Sequence, residues 1–559
     1  MDEKNQQETP QTKNTTSTDQ QNNPETITSY DTPTSPAVNA PANEQGAASS
    51  KASKKPYVIL VIVIVIIMAI AATAIALLSV RVDDSQPTAV QQPISLLRLA
   101  IDEPPLNTAY PQSGPTESET FMNTNLFDTL VAYEDRNRIV PSLATTWSND
   151  NETTWRFTLK ENVQMHNGKT LTAEMVKNSL ENPSEYAKSV YASSIKAIEV
   201  EGNQIVITTN EPDATLLNKL YFLPIYDYEA FAQDGAIIGS GPYMYKDAAT
   251  ITETNVSLVA FANYHNGEPS VKELNVQVIP DTQDLVEAYK NNQIDAGIVD
   301  LSYSELDNIP DADVQKIKVD THGVLHIVLN SNREGPLQDV RVRQALRYAV
   351  DAPTIIELRD VNGEPISQLS PALIPGHNPN IQPVERNEVM AKDLLAQAGY
   401  ANGLTLEMLY YTPGKALAEE LKNQFATIGV TLNLRESSEI SELSQIAYGG
   451  QTDMFTITWS SDILDSVDSY TQHYIATQNY SNPTIESLVN QANSTFDQQA
   501  RLLKLQEVAQ LAFDDVATIP IYNTGSIYII AKPDYRASVD LPIRSGVRWE
   551  TVYSASSTE

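Results

Sequence analysis

Six histidines stand at positions 166, 265, 322, 326, 377 and 473, and they are the first side chains that could ligate a metal or move a proton. Only His322 and His326 lie close together, in THGVLHIVLN, and no glutamate stands between them. A zinc-protease helix needs HExxH, so this pair reads as a structural or interfacial group on a strand. Nucleophile and phosphate motifs are missing: there is no GxSxG elbow, no GxxxxGK[ST] loop and no GxGxxG after a strand. The chain has no cysteine. That excludes thiolate metal sites, cysteine nucleophiles, disulfides and a lipid-modified cysteine anchor. Carboxylates are plentiful, but a glycosidase pair is defined by a separation in space that sequence spacing across strands does not reveal. Without a nucleophile–base signature the expected chemistry is binding. No catalytic residue, metal site or cofactor is assigned.

Charge narrows the partners. Asp and Glu number 71 against 37 Lys and Arg, a net charge of −34 over 559 residues. So acidic an exterior repels phosphate backbones, and nucleic-acid binding is not expected. Residues 57–80, YVILVIVIVIIMAIAATAIALLSV, run 24 positions without a charge. As a helix they reach about 36 Å, enough for a hydrocarbon core of about 30 Å. Lys51, Lys54 and Lys55 precede the segment, while Arg81 is followed by Asp83 and Asp84, which places the N-terminus inside the cell and the remainder outside. A signal peptide has a shorter apolar core and a much shorter leader, so an uncleaved anchor is expected. Residues 1–56 are rich in Thr, Asn, Gln, Pro and Ser and are expected to form a disordered cytoplasmic tail. Residues 81–93 read as a spacer.

Beyond residue 94, strands and helices alternate. Period-two runs occur in TWRFTLK, QIVITT, NVQVI, VTLNL and MFTITW. Helical spacing appears in VRVRQALRYAV behind the capping residue Asp339, after Thr172, in MAKDLLAQAG ending at Gly399, and along Leu502, Leu505, Val508, Leu511 and Ala512. These stripes are core. The pattern predicts an α/β protein of more than one lobe.

One segment carries a family resemblance. Residues 139–180 contain Pro141, Leu143, Ala144 and Trp147, then Phe157, Leu159 and Val163, then His166 and Gly168, and finally Thr172, Ala173 and Val176. This order resembles the signature of the family 5 solute-binding proteins, which include oligopeptide- and dipeptide-binding components of ABC importers. Further stations resemble the same family: LFDTLVAY, GSGPYMY, LQDVRVRQALRYAVD, SPALIPG, AKDLLAQAGYANGLTL and IPIYNTGSIYII. The resemblance spans about residues 94–550.

It implies a two-lobed periplasmic-binding-protein-like clamp of type II, with lobe I over 94–322, a subdomain at about 133–236, lobe II over 323–518 and a return to lobe I over 519–559. It further implies that an extended oligopeptide lies between the lobes and is handed to an ABC permease with its ATPase subunits. Trp147, Trp155 and Phe157 are expected in the core. The family's carboxylate for the peptide ammonium follows a Gly-Trp-x-x-Asp segment, matched here by TWSSD, so Asp462 is expected to take the ammonium and Trp459 to wall the pocket. Ser460 and Ser461 are expected to offer main-chain contacts, with Asp465 as the reserve carboxylate. Glu119, Tyr243 and, more loosely, Tyr522 match cleft-lining positions. Two departures, Thr458 for the usual Gly and Ile463-Leu464-Asp465-Ser466 for the usual Tyr-x-x-Pro after the Asp, bear on pocket geometry and preferred ligand length. Other ligands taken by the family (metal chelates, haem, oligosaccharides), a peptide-sensing receptor and an anchored hydrolase stay open as alternatives.

Overall fold

A computed structural model describes residues 90–102, 117–134, 138–247, 252, 254–299, 309–310, 314–536 and 549–556. The expected tail, the anchor at 57–80 and the spacer up to residue 89 lie outside the described residues. Among those described, no helix is long and apolar enough to cross a membrane. The end of the expected spacer is a strand: Val90–Gln92 pairs antiparallel with Tyr553–Ser556, so main-chain hydrogen bonding begins before residue 94.

Chain order builds the first sheet around β1 (Leu97–Ile101), which is buried on both faces. Helix α1 (Glu117–Leu126) follows, and then the chain leaves to form a separate four-stranded antiparallel sheet. That sheet has β2 (Ala144–Asn151), β3 (Thr154–Leu159), β4 (Ile195–Glu201) and β5 (Gln204–Thr209) in the order β2-β3-β5-β4. Alternation in TWRFTL turns Trp155, Phe157 and Leu159 to one face, where they are buried. Helix α2 (Ala173–Glu181) is capped by Thr172, whose hydroxyl accepts from the Met175 amide, and it buries Val176 and Leu180. Helix α3 (Glu185–Val190) follows it.

The signature turn at 166–168 is a joint. His166 donates its amide to the Gly239 carbonyl at 2.8 Å, its Nε2 meets the Gly241 carbonyl at 3.0 Å, and its ring stands edge-on to Phe261. Buried Asp128 accepts from Ser240 at 2.8 Å and from Tyr264 at 3.2 Å, and its other contact is His265 Nε2 at 2.9 Å. A Cβ at Gly241 would fall 2.5 Å from the Leu126 carbonyl carbon, so the GSGPY segment can lie against α1 only with glycine there.

The chain then completes the first sheet with β6 (Tyr243–Tyr245), β7 (Asn255–Ala260), β8 (Glu273–Val278), β9 (Ala296–Val299) and β10 (Gln315–Asp320). It crosses at Thr321–Gly323 into a six-stranded sheet. This second sheet holds β11 (Val324–Leu329), β12 (Glu364–Pro365), β13 (Leu404–Tyr411), β14 (Val430–Ser437), β15 (Met454–Trp459) and β16 (Thr518–Asn523). Their order is β12-β16-β11-β15-β13-β14, and every residue of the central β11 is buried. Helix α4 (Val340–Ala349), capped by Asp339, packs Val342, Ala345, Leu346 and Ala349 into this core. Helix α5 (Glu388–Gln397) ends before Gly399, which has a φ of +93°.

IPIYN therefore belongs to the second sheet. The chain returns through Thr524 and Gly525, five and six residues past the expected 519, into β17 (Ser526–Ala531) of the first sheet, whose order is β10-β17-β9-β1-β8-β7-β6. The reason is register: Ile519 and Tyr522 pair with Ile327 and Leu325 of β11. The two crossings are stitched together. Thr321 donates its amide to the Gly525 carbonyl, Thr524 donates its amide to the Gly323 carbonyl (both 2.8 Å), and the two threonine hydroxyls meet at 2.7 Å.

Gly525 has a φ of +78°, and a Cβ there would fall 1.6 Å from the Asn362 carbonyl oxygen. Gly525→Ala is expected to cost about 2 kcal/mol or more of unfolding free energy in urea titration. A change below about 0.5 kcal/mol would show that the crossing accommodates a side chain.

Candidate functional site

The parallel strands β13, β14 and β15 end at one edge of the second sheet, at Tyr411, Ser437 and Trp459. The crossings enter and leave at this edge, since Val324 pairs with both Trp459 and Asn523. Ligands of open α/β sheets bind outside the carboxyl ends of the strands. The TWSSD segment leaves β15 at that place, and His322 Nε2 of the first crossing lies 3.2 Å from the Ser461 carbonyl.

Ser461 shapes the loop. Its hydroxyl donates to the Asp465 carbonyl at 2.8 Å and accepts the Asp465 amide at 3.0 Å. Leu464 takes a positive φ of 53° inside this loop. Asp465 caps the short helix α6 (Ser466–Tyr470) by accepting from the Val467 amide. Both Asp465 oxygens are also held by Arg501, at 2.7 and 2.8 Å, from helix α7 (Gln498–Asp515). The reserve carboxylate is therefore committed to an ion pair, with its own side chain 2% exposed and Arg501 12% exposed. Ile463 and Leu464 plug the core of the four-stranded unit, where Asn218 donates to the Ile463 carbonyl and to the Tyr133 hydroxyl. This packing explains the Ile-Leu at 463 and 464.

Asp462 is mostly buried, and Tyr186 of α3 lies near enough to its carboxylate to favour the ionised form. Its amide donates to Asp468 Oδ2 at 2.9 Å. No Lys, Arg or His among the described residues pairs with either carboxylate. Burial raises Asp462 above the ordinary carboxylate range, against the pull of the Tyr186 hydroxyl. Burial and then the Asp462 charge push Asp468 up to about 7. The same surroundings raise Tyr186 and Tyr191, by burial first, with the Asp462 charge contributing to both.

Trp459 is half-buried and stands edge-on to His473, with centroids 5.2 Å apart; His473 stands edge-on to His326 at 4.6 Å. His326 Nδ1 lies 3.0 Å from the Val324 carbonyl, and Nε2 of both histidines and Nε1 of Trp459 are buried with no hydrogen-bond partner among the described residues. Burial lowers His326 to about 4 and His473 well below its usual value, so both imidazoles are neutral at pH 7.

The remaining expected residues fall elsewhere. Ser460 is exposed, with its hydroxyl 2.9 Å from where a Cβ on Gly323 would sit. Ser461 is a buried latch, though its carbonyl faces His322. Glu119 lies in the first turn of α1. Tyr243 is fully buried in the first sheet's core and donates its hydroxyl to the Val271 carbonyl, and Tyr522 is 2% exposed in the second sheet's core. Neither tyrosine lines an open surface, because strand alternation turns both inward. Sequence reasoning missed Tyr186 and Asp468. Asp468 lies six residues past Asp462 and was within reach of a search for nearby acids; Tyr186 carried no local signal.

A family model described as bacterial extracellular solute-binding proteins, family 5 middle, matches residues 138–481. The nickel-binding protein NikA of Staphylococcus aureus is 25% identical over 419 residues, covering 72% of this chain and 84% of that protein. Heme-binding protein A of Haemophilus influenzae is 26% identical over 446 residues, covering 69% and 79%. The structure of DppA from Helicobacter pylori in complex with the peptide STSA superposes with a TM-score of 0.66 at 21% identity, covering 83% of this chain and 99% of that one.

Two neutral, buried histidines have a signed consequence for stability. Their folded pKa lies below the unfolded value of about 6.5, so the unfolded chain takes up protons first as pH falls. Their contribution is complete above pH 6.5 and is lost on descent toward pH 4. Raised Asp468 works in the opposite direction, so the test compares variants. His473→Phe is expected to gain about 1.4 kcal/mol on wild type per pH unit below 6.5 in urea titrations. Parallel curves would contradict the neutral assignment.

Proposed function

Because this chain belongs to the bacterial extracellular solute-binding proteins of family 5, we propose that it captures oligopeptides by their N-terminal ammonium at Asp462. Members of this family are non-enzymatic, extracytoplasmic binding components of ABC importers. The finer reading, a peptide held by its amino end, is supported by one observation above the rest. Asp462 and Asp468 are mostly buried, Asp468 accepts the Asp462 backbone amide, and no described base pairs with either carboxylate. A desolvated carboxylate without a cation is costly, and a ligand ammonium supplies the missing charge. On this reading the neighbouring Tyr186 hydroxyl serves as a second polar contact for that ammonium. A ligand group that is itself anionic, such as a haem propionate, would meet two like charges here.

On this reading the rest of the peptide runs extended along the edge where β13, β14 and β15 end, held by main-chain bonds as in strand addition. Trp459 walls the first side-chain pocket. Rotation about the paired crossings at 321–323 and 524–525 closes the lobes on the ligand, and the closed form docks on the permease, which its ATPase subunits drive. Residues 57–80 would keep the binding unit at the outer membrane face beside that permease, in place of a lipid anchor.

Isothermal titration with alanine tripeptide and its N-acetylated form tests the ammonium directly. The free peptide is expected to bind roughly 10²-fold or more tightly than the acetylated one, and Asp462→Asn is expected to abolish that preference. Equal affinity of the two peptides for wild type would sink the ammonium reading.

A further inference from the structure

Beside helix α6 lies a small cavity that the peptide reading does not use. Its lining includes Arg347 of α4, Ser367, Tyr470 of α6, Tyr474, Phe513 of α7 and Thr518 of β16. Tyr474 stands in a π turn, Thr471–Ile475, that continues α6, and such turns recur at functional sites. The cavity measures about 280 Å³ including space open to solvent, and its inner part admits a group of about the size of a water molecule. Among the described residues, Arg347 is the one charged side chain in this lining.

The chain carries 71 acids against 37 bases, so a carboxylate partner for a half-buried guanidinium is easily supplied. Arg343, one turn earlier, has one: it pairs with Asp515 at 2.6 Å. Arg347 forms no ion pair among the described residues, and Asp514 acts on it through charge alone. Its Nη1 donates to the Phe513 carbonyl at 2.6 Å, and its guanidinium carbon lies 4.3 Å from the centre of the Phe513 ring. Its Nε is buried with no hydrogen-bond partner among the described residues. Burial lowers its pKa, as it does for a cation deprived of water without a full counter-charge.

The hydroxyls of the lining have hydrogens to give. Ser367 Oγ accepts the Val384 amide at 2.9 Å, which leaves its own hydrogen for another acceptor. Tyr474 and Thr518 share one hydrogen bond at 3.4 Å, so one of their two hydrogens remains. Gln368, also in the lining, commits both ends of its amide to Asn378. The groups left over are a cation and hydroxyl donors, which is the chemistry that holds an anion. A cation here would meet Arg347, and an apolar group would leave Nε unsatisfied. We propose that the cavity binds one small inorganic anion of chloride size, held by Arg347, Ser367 and the Tyr474–Thr518 pair. Because Tyr470 and Tyr474 belong to α6 and its continuation, the anion braces the helix that Asp465 begins. This site is independent of the ammonium reading.

The test is thermal unfolding of the full chain in detergent, with sodium chloride replacing sodium gluconate at constant ionic strength. Wild type is expected to gain about 2 °C or more by about 0.3 M chloride, with a saturating dependence. Arg347→Gln is expected to lose that saturable gain, and Ser367→Ala to move its midpoint several-fold toward higher chloride. An equal gain in wild type and Arg347→Gln, or no gain in wild type, would overturn the site. Crystals of wild type grown in bromide give a readout that needs no variant: an anomalous peak is expected within hydrogen-bonding reach of Arg347 Nε. A water there, or a bromide peak without the saturable gain in solution (an adventitious ion only), would overturn the proposal.

Discussion

Where the chain crosses between its two large sheets, the carboxylates of Asp462 and Asp468 lie mostly buried with no described base to neutralise them. An uncompensated charge of this kind costs several kcal/mol, and the surrounding architecture determines whether the fold can hold it. Three devices do so. The Ser461 hydroxyl closes the loop on itself, the Asp465–Arg501 pair fixes the start of α6, and Ile463 and Leu464 plug the four-stranded unit. The loop is thereby tied to the second sheet, to α7 and to the four-stranded unit at once. A charge held this rigidly is available to a ligand without reorganisation, which favours affinity.

The signature residues act at a distance from that loop. His166 and Asp128 fasten the GSGPY segment to α1, and the matching threonines at 321 and 524 pin the two crossings together. These contacts fix the frame across which the lobes would move. Side chains with the strongest sequence patterns thus serve rigidity, whereas the candidate ligand contacts sit on a loop with little pattern of its own.

Much of the scaffold was legible in advance for definite reasons. Alternation in TWRFTL and MFTITW follows from one-sided burial of strands, and Thr172 and Asp339 cap helices because their side-chain oxygens reach free amides. Register was not legible: IPIYN reads equally well as a strand of either sheet, and its pairing with β11 moves the return crossing to 524–525. Residue type does not separate a cleft tyrosine from a core one; strand alternation turns Tyr243 and Tyr522 inward. Asp462 was reached only through resemblance. Tyr186, which acts on its charge, lies on a helix far away in sequence, and Ile463 and Leu464 pack the loop against that unit.

On this reading the carboxylate of Asp462 receives a peptide ammonium. A crystal structure of the protein with a bound tripeptide tests it most directly. The peptide's terminal nitrogen is expected about 2.7–3.2 Å from an Asp462 carboxylate oxygen, with the Tyr186 hydroxyl beside it. A peptide carboxylate or an uncharged side chain at that position, or a peptide seated away from Asp462, would contradict it.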